Sequence, residues 1–441
     1  MGAPSIVGLS RSVGVKMLRI LCITHCLPYP PTTGGSQRTA LLLRALAQYG
    51  MTDLIQVCRY GPMQPALFEY CRGRFNLIAA IEPVHRGKYK PWNLVRPLRP
   101  KIVDRLARVL GDQTIMYRPD PRVRQAVHKA MSDREYDVII GRYLYPVAMA
   151  DLLKNQADIP VLVDLDDVDH IVARENANRS TPWVRRVVYS MHRPQIERVV
   201  PPLLNAASHL WVSAVDDARI LGLANISVLP NIPYSESDQM IEPCPPCDDS
   251  KQILIVGMLS YMPNTEGIEH FLTQCWPHIR RAVPDATVRI IGGGLNARTG
   301  ERWARFPGIE VGGFVADLRA EYQRCAFSIV PVQRGGGTKI KAIECFAYGR
   351  TCVATPHGHR GIESILRHGE SLWRGSDDAE FTEGCIQLLK YADSRNAFAE
   401  VGRQLVNDNY SIKHFRNVIG AALNGLGLLK NNSSQPFPVN A

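Results

Sequence analysis

Three consecutive glycines, Gly335, Gly336 and Gly337, form the most chemically informative stretch of the sequence. They follow an apolar run at 327–332, which predicts a buried strand, and they precede apolar residues at helical spacing over 340–347. A glycine turn between a strand and a helix leaves backbone N–H groups uncovered at the helix N-terminus. The helix dipole favours negative charge at that point, so the turn suits an anionic ligand.

Charged side chains follow this turn. Thr338 closes it, and Lys339 and Lys341 place two positive charges in the first helical turn, where the helix dipole alone disfavours them. Glu344 lies one turn further, and a carboxylate accepts hydrogen bonds from hydroxyl groups. The pattern predicts phosphate at the turn and a hydroxyl-rich group at Glu344. A turn that binds nothing stays open as the alternative, because such turns are common in α/β proteins.

Candidate groups in the first half of the chain lie where strands are predicted to end. Gly34 and Gly35 separate a strand at 18–24 from a helix at 36–49, and Arg142 follows a strand at 137–141. The carboxyl ends of parallel strands face the ligand crevice of an open α/β sheet. Arg142 is therefore a candidate near a reacting centre, with a purely structural role as the alternative, and the glycine pair is either a ligand loop or a simple tight turn.

Four aspartates, Asp164, Asp166, Asp167 and Asp169, crowd at the end of a strand predicted over 160–165. Carboxylates this close are expected to raise one another's pKa. Such crowding serves metal binding, proton transfer or the binding of hydroxyl groups, and helix capping is the remaining alternative. We expect an acceptor or catalytic role, and no bound metal.

The residues around the glycine turn resemble a known family. The run GGGTKIK, then Glu344, Ala347-Tyr348-Gly349 and, after a further strand, HRGI at 359–362 are similar to the donor-binding segment of glycosyltransferase family 4. The resemblance covers roughly residues 18–428 and is greatest to bacterial enzymes of exopolysaccharide assembly. Of the two glutamates that the family places eight positions apart, Glu344 matches the second, whereas Gly336 stands at the first.

The resemblance implies an α/β fold of GT-B type, with two Rossmann-like domains facing a central cleft and a C-terminal helix that crosses back to the first domain. It implies a nucleotide-sugar donor on the second domain, a glycan or lipid-linked acceptor on the first, retention of anomeric configuration and no cofactor. Lys341, Asp166 and Arg142 are then the catalytic candidates. The implied donor-binding residues are Gly335, Gly336, Gly337, Thr338, Lys339, Glu344, Gly257 and Gly293, with Gly34 and Gly35 as an acceptor or diphosphate loop.

The chain of 441 residues is predicted to divide into several parts. These are a loose leader (1–16), an acceptor-side domain (17–235), a Pro-rich linker (236–250), a donor-binding domain (251–408), a crossover helix (409–429) and a disordered tail (430–441). A GT-B epimerase acting on a nucleotide sugar, and a non-catalytic nucleotide-sugar or glycan-binding protein, remain as alternative functions.

Basic charge is concentrated in one part of the chain. The net charge is +11, and residues 85–134 hold thirteen Lys and Arg against four Asp and Glu. No nucleic-acid-binding module is recognisable, so this segment predicts peripheral contact with an anionic membrane, or else a solvated face without a partner. Cysteines in apolar contexts indicate a reducing compartment. We therefore expect a cytoplasmic protein, peripheral on the inner face of the plasma membrane.

Overall fold

Two parallel β-sheets organise the chain. The computed structural model describes residues 17–57, 70–83, 114–153, 159–166, 183–334 and 338–429, without the side chains of residues 115 and 183–192. The predicted leader and tail, most of the basic segment, and Gly335, Gly336 and Gly337 lie outside these described residues.

The first sheet has the strand order β3-β2-β1-β4-β5-β6-β7, and every pairing in it is parallel. Most residues of its strands are apolar, as expected where helices cover both faces of a parallel sheet. The strands are β1 (Leu18–Thr24), β2 (Gly50–Val57), β3 (Asn76–Ile81), β4 (Val138–Arg142), β5 (Val161–Asp166), β6 (His209–Val212) and β7 (Ile226–Val228). The accompanying helices are α1 (Gly34–Leu46), α2 (Pro121–Asp133), α3 (Leu144–Met149), α4 (Trp183–Ala206) and α5 (Val215–Leu221).

The second sheet has the order β10-β9-β8-β11-β12-β13 and is again parallel. Its strands are β8 (Gln252–Val256), β9 (Thr287–Ile291), β10 (Ile309–Gly313), β11 (Phe327–Val330), β12 (Cys352–Ala354) and β13 (Trp373–Arg374). Its helices are α6 (Met262–His270), α7 (Trp276–Ala282), α8 (Ala297–Trp303), α9 (Leu318–Arg324), α10 (Ile340–Ala347), α11 (Pro356–His359), α12 (Asp378–Lys390) and α13 (Ala392–Asn409). A π-helical turn, Phe271–Cys275, joins α6 to α7. The two Rossmann-like domains predicted from the sequence are confirmed.

The last helix, α14 (Ile412–Gly425), returns to the first domain and packs on α1. Tyr49 donates a hydrogen bond from its hydroxyl to the backbone oxygen of Arg416 at 2.7 Å. Gly420 makes room for this contact, because a Cβ atom there would lie 2.5 Å from the Tyr49 hydroxyl. The C-terminal segment thus ties the two domains together.

The predicted linker packs against the second domain. The backbone N–H of Cys244 donates to the oxygen of Tyr348 at 2.9 Å, and the guanidinium of Arg350 donates to the oxygens of Cys244 and Pro245. These contacts fix the segment just before β8. Among the helices that the structure describes, none combines the length and hydropathy needed to cross a membrane.

Candidate active site

A cavity of about 150 Å³ lies between the two domains. The first domain contributes the N-terminus of α1, the end of β5 and the segment after β7, while Thr338 and α10 come from the second and Phe415 from α14. The lining residues are Gly34, Gly35, Gln37, Arg38, Leu41, Asp166, Asn231, Ile232, Thr338, Ile340 and Phe415. Several predicted site residues from distant parts of the sequence therefore face one space.

The N-terminus of α1 borders this cavity. Thr33 caps the helix, and its hydroxyl and the Ser36 hydroxyl each accept from the other's backbone N–H. At Gly34 an added Cβ would meet nothing within 4 Å, whereas at Gly35 it would lie 3.1 Å from Cys26 Sγ and 3.4 Å from the Tyr143 hydroxyl. Gly35 thus allows Cys26 and Tyr143 to lie close to the helix backbone, and Gly34 leaves its backbone open to a ligand.

Arg38 is a buried site residue that the sequence interpretation missed. Its guanidinium forms a bidentate ion pair with Asp164, at 2.6 and 2.9 Å, and donates to Asn231 Oδ1 at 2.8 Å and to the oxygen of Leu229 at 2.9 Å. Arg38 is 2% exposed and Asp164 is 0% exposed, so both charges need these partners. The sequence did contain a signal for this residue, because Arg38 lies on the face of α1 that otherwise carries leucines and alanines.

Asp166, at the end of β5, has a left-handed backbone with φ of 62°, a costly conformation for a residue other than glycine. Its carboxylate accepts from Arg142 Nη2 at 2.8 Å and from Asn231 Nδ2 at 3.3 Å. Burial alone would raise the pKa of Asp166, but the charges of Arg142 and Arg38 lower it to about 2. The expectation that crowded carboxylates raise one another's pKa is therefore wrong for Asp166. Asp167 and Asp169 lie outside the described residues.

Arg142 holds this cluster together from the end of β4. It is fully buried, with Nε 3.4 Å from Asp164 Oδ2, and its guanidinium lies 3.9 Å from the centre of the Tyr143 ring. Two arginines thus face two aspartates, which balances the charge of the group. Tyr143 also has a left-handed backbone, with φ of 68°, so the ends of both β4 and β5 are strained beside the cavity.

Lys341, on α10, lies over the end of β8. Its ammonium group donates to Asn264 Oδ1 at 2.5 Å, and an added Cβ at Gly257 would come within 3.1 Å of that ammonium. Gly257 therefore leaves room for the close packing of Lys341 and Asn264 over the end of β8. Burial and the neighbouring charge of Lys339 lower the pKa of Lys341 to about 7, against the opposing effect of Glu344.

Glu344 is buried one turn further along α10, at 8% exposure. Burial raises the pKa of Glu344 to about 7, although the hydroxyl of Tyr322 and the charge of Lys341 act in the opposite direction. The Tyr322 ring stacks on that of Tyr348, with centroids 4.6 Å apart. Lys341 and Glu344 thus both titrate near neutrality, which makes their charges responsive to a ligand.

Gly257 and Gly293 lie together at the ends of neighbouring strands. The backbone N–H of Leu259 donates to the oxygen of Gly293 at 2.8 Å. The oxygen of Gly257 lies so close to Gly292 that an added Cβ at Gly292 would clash with it. These two glycines, Lys341 and Glu344 are not among the lining residues of the cavity. The described residues thus form a group around Asp166 and a second group on α10, joined at Thr338.

The two domains touch beside the cavity. The hydroxyl of Thr338 donates to the backbone oxygen of Ser213 at 2.7 Å, and Arg360 forms an ion pair with Asp217 at 3.2 Å. An added Cβ at Gly361 would lie 3.2 Å from the Cβ of Ala214. The cleft is therefore closed at this point.

Comparisons with known proteins agree with this architecture. Residues 250–391 match the family model of glycosyl transferases group 1. The comparison with curated proteins found no match to the sequence.

Solved structures resemble the whole chain in fold. Sucrose-phosphate synthase from Thermosynechococcus elongatus aligns at TM-score 0.63 with 16% identity, over 93% of this chain and 99% of that one. HepE of Anabaena, in complex with UDP and glucose, aligns at 0.61 with 12% identity, over 92% and 99%. A TarM variant of S. aureus, in complex with fondaparinux, alpha-GlcNAc-glycerol and UDP, aligns at 0.61 with 10% identity, over 92% and 100%. At these identities the likeness establishes the fold, while the family model establishes the class of the second domain. The chain has the GT-B fold, its residues 250–391 form a glycosyl transferases group 1 domain, and the protein is a glycosyltransferase.

Proposed function

We propose that the protein transfers a sugar from a nucleoside-diphosphate sugar to a glycan or lipid-linked acceptor, with retention of configuration, in the synthesis of a cell-surface polysaccharide. One observation carries the proposal: the cavity brings Asp166 of the first domain to Thr338, at the glycine turn of the second. A reaction between a donor on one domain and an acceptor on the other requires such a shared space. The resemblance to exopolysaccharide enzymes supports the pathway.

The donor would lie on the second domain. Lys339 and Lys341, with the backbone of the turn, would meet the negative charge that grows on the departing diphosphate, which is where a fixed positive charge lowers the barrier most. Glu344 would accept hydrogen bonds from the ribose hydroxyls. Gly293 would let the ligand approach the backbone after β9, whereas Gly257 would leave room for the Lys341 ammonium that meets the diphosphate. No metal is required in this arrangement, because basic side chains and a helix N-terminus neutralise the diphosphate.

Asp166 would act beside the reacting carbon as a carboxylate. With a pKa of about 2 it is ionised at neutral pH and takes up a proton poorly, so it is unsuited to be a general base. It would instead orient the acceptor through its hydroxyl groups and oppose positive charge on the sugar, with Arg142 fixing it in place. The acceptor hydroxyl then attacks from the side of the leaving group and passes its proton to a departing phosphate oxygen. Retention of configuration follows from attack on that face.

A donor screen tests the proposal. Purified protein is mixed with UDP-, GDP-, ADP- and dTDP-sugars, and both thermal stabilisation and release of the diphosphate are measured. UDP-sugars are tested first, because HepE and TarM have been solved in complex with UDP. We expect one nucleotide family to stabilise the protein and to be slowly hydrolysed, with Asp166→Asn keeping the stabilisation and losing the hydrolysis.

Other results of the screen would contradict the proposal. Conversion of the nucleotide sugar to an isomer without acceptor would indicate an epimerase. Binding without any turnover, even with glycan and lipid-linked acceptors, would indicate a binding protein. Gly336, which stands where the family has its first glutamate, is the reason for testing this alternative. Silence across the panel would refute the transferase assignment of this site.

We further propose that residues 85–134 bind an anionic membrane from the cytoplasmic side. Of this segment the structure describes 114–134, where α2 exposes Arg122, Arg124 and Lys129. The cysteines that the structure describes are unpaired, which supports a reducing compartment. Reversing the charge of these three residues should release the protein from phosphatidylserine vesicles without changing activity on a water-soluble acceptor. Undiminished vesicle binding would make this part of the segment a solvated face.

A further inference from the structure

Ser213 lies between the strained aspartate and the opposite domain. It follows β6 directly and is 2% exposed. Its hydroxyl donates to the backbone oxygen of Asp166 at 3.0 Å, and its own backbone oxygen accepts the hydroxyl of Thr338 at 2.7 Å. The backbone N–H of Thr338 also points to the Ser213 hydroxyl, at 3.5 Å. One buried residue thus contacts both the end of β5 and the residue that closes the glycine turn.

The other contacts of Asp166 come from its own domain. Arg142 and Asn231 hold its carboxylate, on β4 and on the segment after β7. They fix the charged group, and none of the hydrogen bonds that the structure describes joins either of them to Thr338. Ser213 instead holds the backbone of Asp166, whose φ of 62° needs continued support from its surroundings.

We propose that Ser213 is a positioning residue, which couples the docking of Thr338 across the cleft to the placement of Asp166 for sugar transfer. The inference rests on the proposed transferase function. While the domains are docked as in this structure, Thr338 secures Ser213, and Ser213 secures the backbone that presents the Asp166 carboxylate to the cavity. When the domains separate, Ser213 loses its partner in the second domain, and the strained backbone of Asp166 is less tightly held.

The chain offers a matched control at the other end of β6. Ser208 precedes this strand, and its hydroxyl accepts the backbone N–H of Val161 at 3.0 Å, at the start of β5. The side chains of Ser213 and Ser208 therefore each form one hydrogen bond to the backbone of β5. Ser213→Ala and Ser208→Ala remove comparable structural contacts, but only the first lies at the cleft.

The test compares steady-state kinetics and diphosphate binding of the two variants. We expect Ser213→Ala to lower kcat at least about ten-fold, because small displacements of catalytic groups have effects of this size. The dissociation constant of the free nucleoside diphosphate should stay within about two-fold, since the donor site is on the other domain. Ser208→Ala should leave both quantities unchanged. An equal kcat in the two variants, or a loss confined to KM, would overturn the proposal.

Thr338→Val tests the coupling across the cleft. It removes the hydroxyl that reaches Ser213 while leaving the ion pair between Arg360 and Asp217, which joins the same two domains. If the effect of Thr338 passes through Ser213, the double variant Thr338→Val/Ser213→Ala should lose less than the product of the two single losses. Strictly multiplicative losses would overturn the coupling.

Hydrogen–deuterium exchange separates this inference from the proposed function, because it needs no substrate. Thr338→Val should speed exchange several-fold in the peptides that cover the ends of β5 and β6, and leave those that cover the start of β5 unchanged. This result would support the coupling even if the donor screen were silent and the transferase function had failed. Unchanged exchange at both strand ends would overturn the coupling even in an active enzyme.

Discussion

Replacement of Lys341 by methionine should stabilise the ligand-free protein while weakening its binding of nucleoside diphosphate. The substitution keeps the length of the side chain and removes an ammonium whose pKa burial and Lys339 lower from 10.5 to about 7. A charged group with a lowered pKa is held in the fold at a cost in free energy, and such costs are typical of binding sites. Binding suffers because the charge that meets the diphosphate is gone.

The magnitude follows from the pKa. A lowering from 10.5 to about 7 corresponds to about 5 kcal/mol, at about 1.4 kcal/mol per pKa unit. Lys341 retains partial solvent exposure, so this is an upper bound and roughly half is the better expectation. Loss of the hydrogen bond to Asn264 offsets about 1 kcal/mol. Lys341→Met should therefore raise the free energy of unfolding by about 1–2 kcal/mol at pH 6.

The stability difference between Lys341→Met and the unchanged protein should depend on pH. The cost is fully present below the folded-state pKa of about 7, where Lys341 is charged in both states, and it is lost as pH rises toward the unfolded value of 10.5. The advantage of the methionine variant should therefore be largest at pH 6 and disappear by about pH 10, where only the lost hydrogen bond remains.

Urea unfolding at pH 6 and pH 9 measures the stability, and calorimetric titration with UDP measures the binding. Lys390 is exposed on α12, and Lys390→Met should change the free energy of unfolding by less than about 0.5 kcal/mol at either pH. A Lys341→Met variant that loses stability at pH 6 and keeps its affinity for every nucleoside diphosphate would refute the reasoning, since Lys341 would then be structural.

Two further substitutions test the donor site and the cleft. Glu344→Gln should weaken donor binding about ten-fold or more, and unchanged affinity in titration calorimetry would remove Glu344 from the site. The same variant should stabilise the ligand-free fold above pH 7, because the raised pKa of Glu344 makes its ionised form costly there. That cost is lost as pH falls. Gly361→Ala should lower turnover. Gly361 has a φ of 85°, and the added Cβ would lie 3.2 Å from the Cβ of Ala214, where the two domains touch. Gly369→Ala is the control in the same assay, because Gly369 has a φ of 77° but an added Cβ there would meet nothing within 4 Å. Both variants should lose about 1–2 kcal/mol of stability. Equal turnover in the two would mean that the contact between Gly361 and Ala214 is irrelevant to the reaction.

The sheets could be predicted from the sequence because their signals are local. β1 is one apolar run with a single exposed residue, Arg19, and a glycine pair follows it before the apolar face of α1. Each βα unit of this kind carries its strand, turn and helix within about 30 residues. The glycine turn before α10 and the charges of Lys341 and Glu344 were visible for the same reason.

The polar cluster of the first domain could not be predicted, because its partners are distant in sequence. Arg38 and Asp164 are 126 positions apart, and Thr338 and Ser213 are 125 apart. Sequence proximity suggested instead that the aspartates act mainly on one another. The folded chain brings two arginines to Asp164 and Asp166, which reverses the direction of the pKa shift of Asp166.

The two halves of the site handle charge in opposite ways, and this difference has a functional consequence. Around Asp166, arginines and aspartates balance one another before any ligand arrives, so the carboxylate keeps its charge across the physiological range. On α10, burial outweighs the attraction between Lys341 and Glu344, and each sits near the midpoint of its titration at neutral pH. An arriving diphosphate adds negative charge beside Lys341 and favours its protonated form. The donor half can therefore change its ionisation on binding, whereas the acceptor half presents a fixed charge to whatever sugar the donor half delivers.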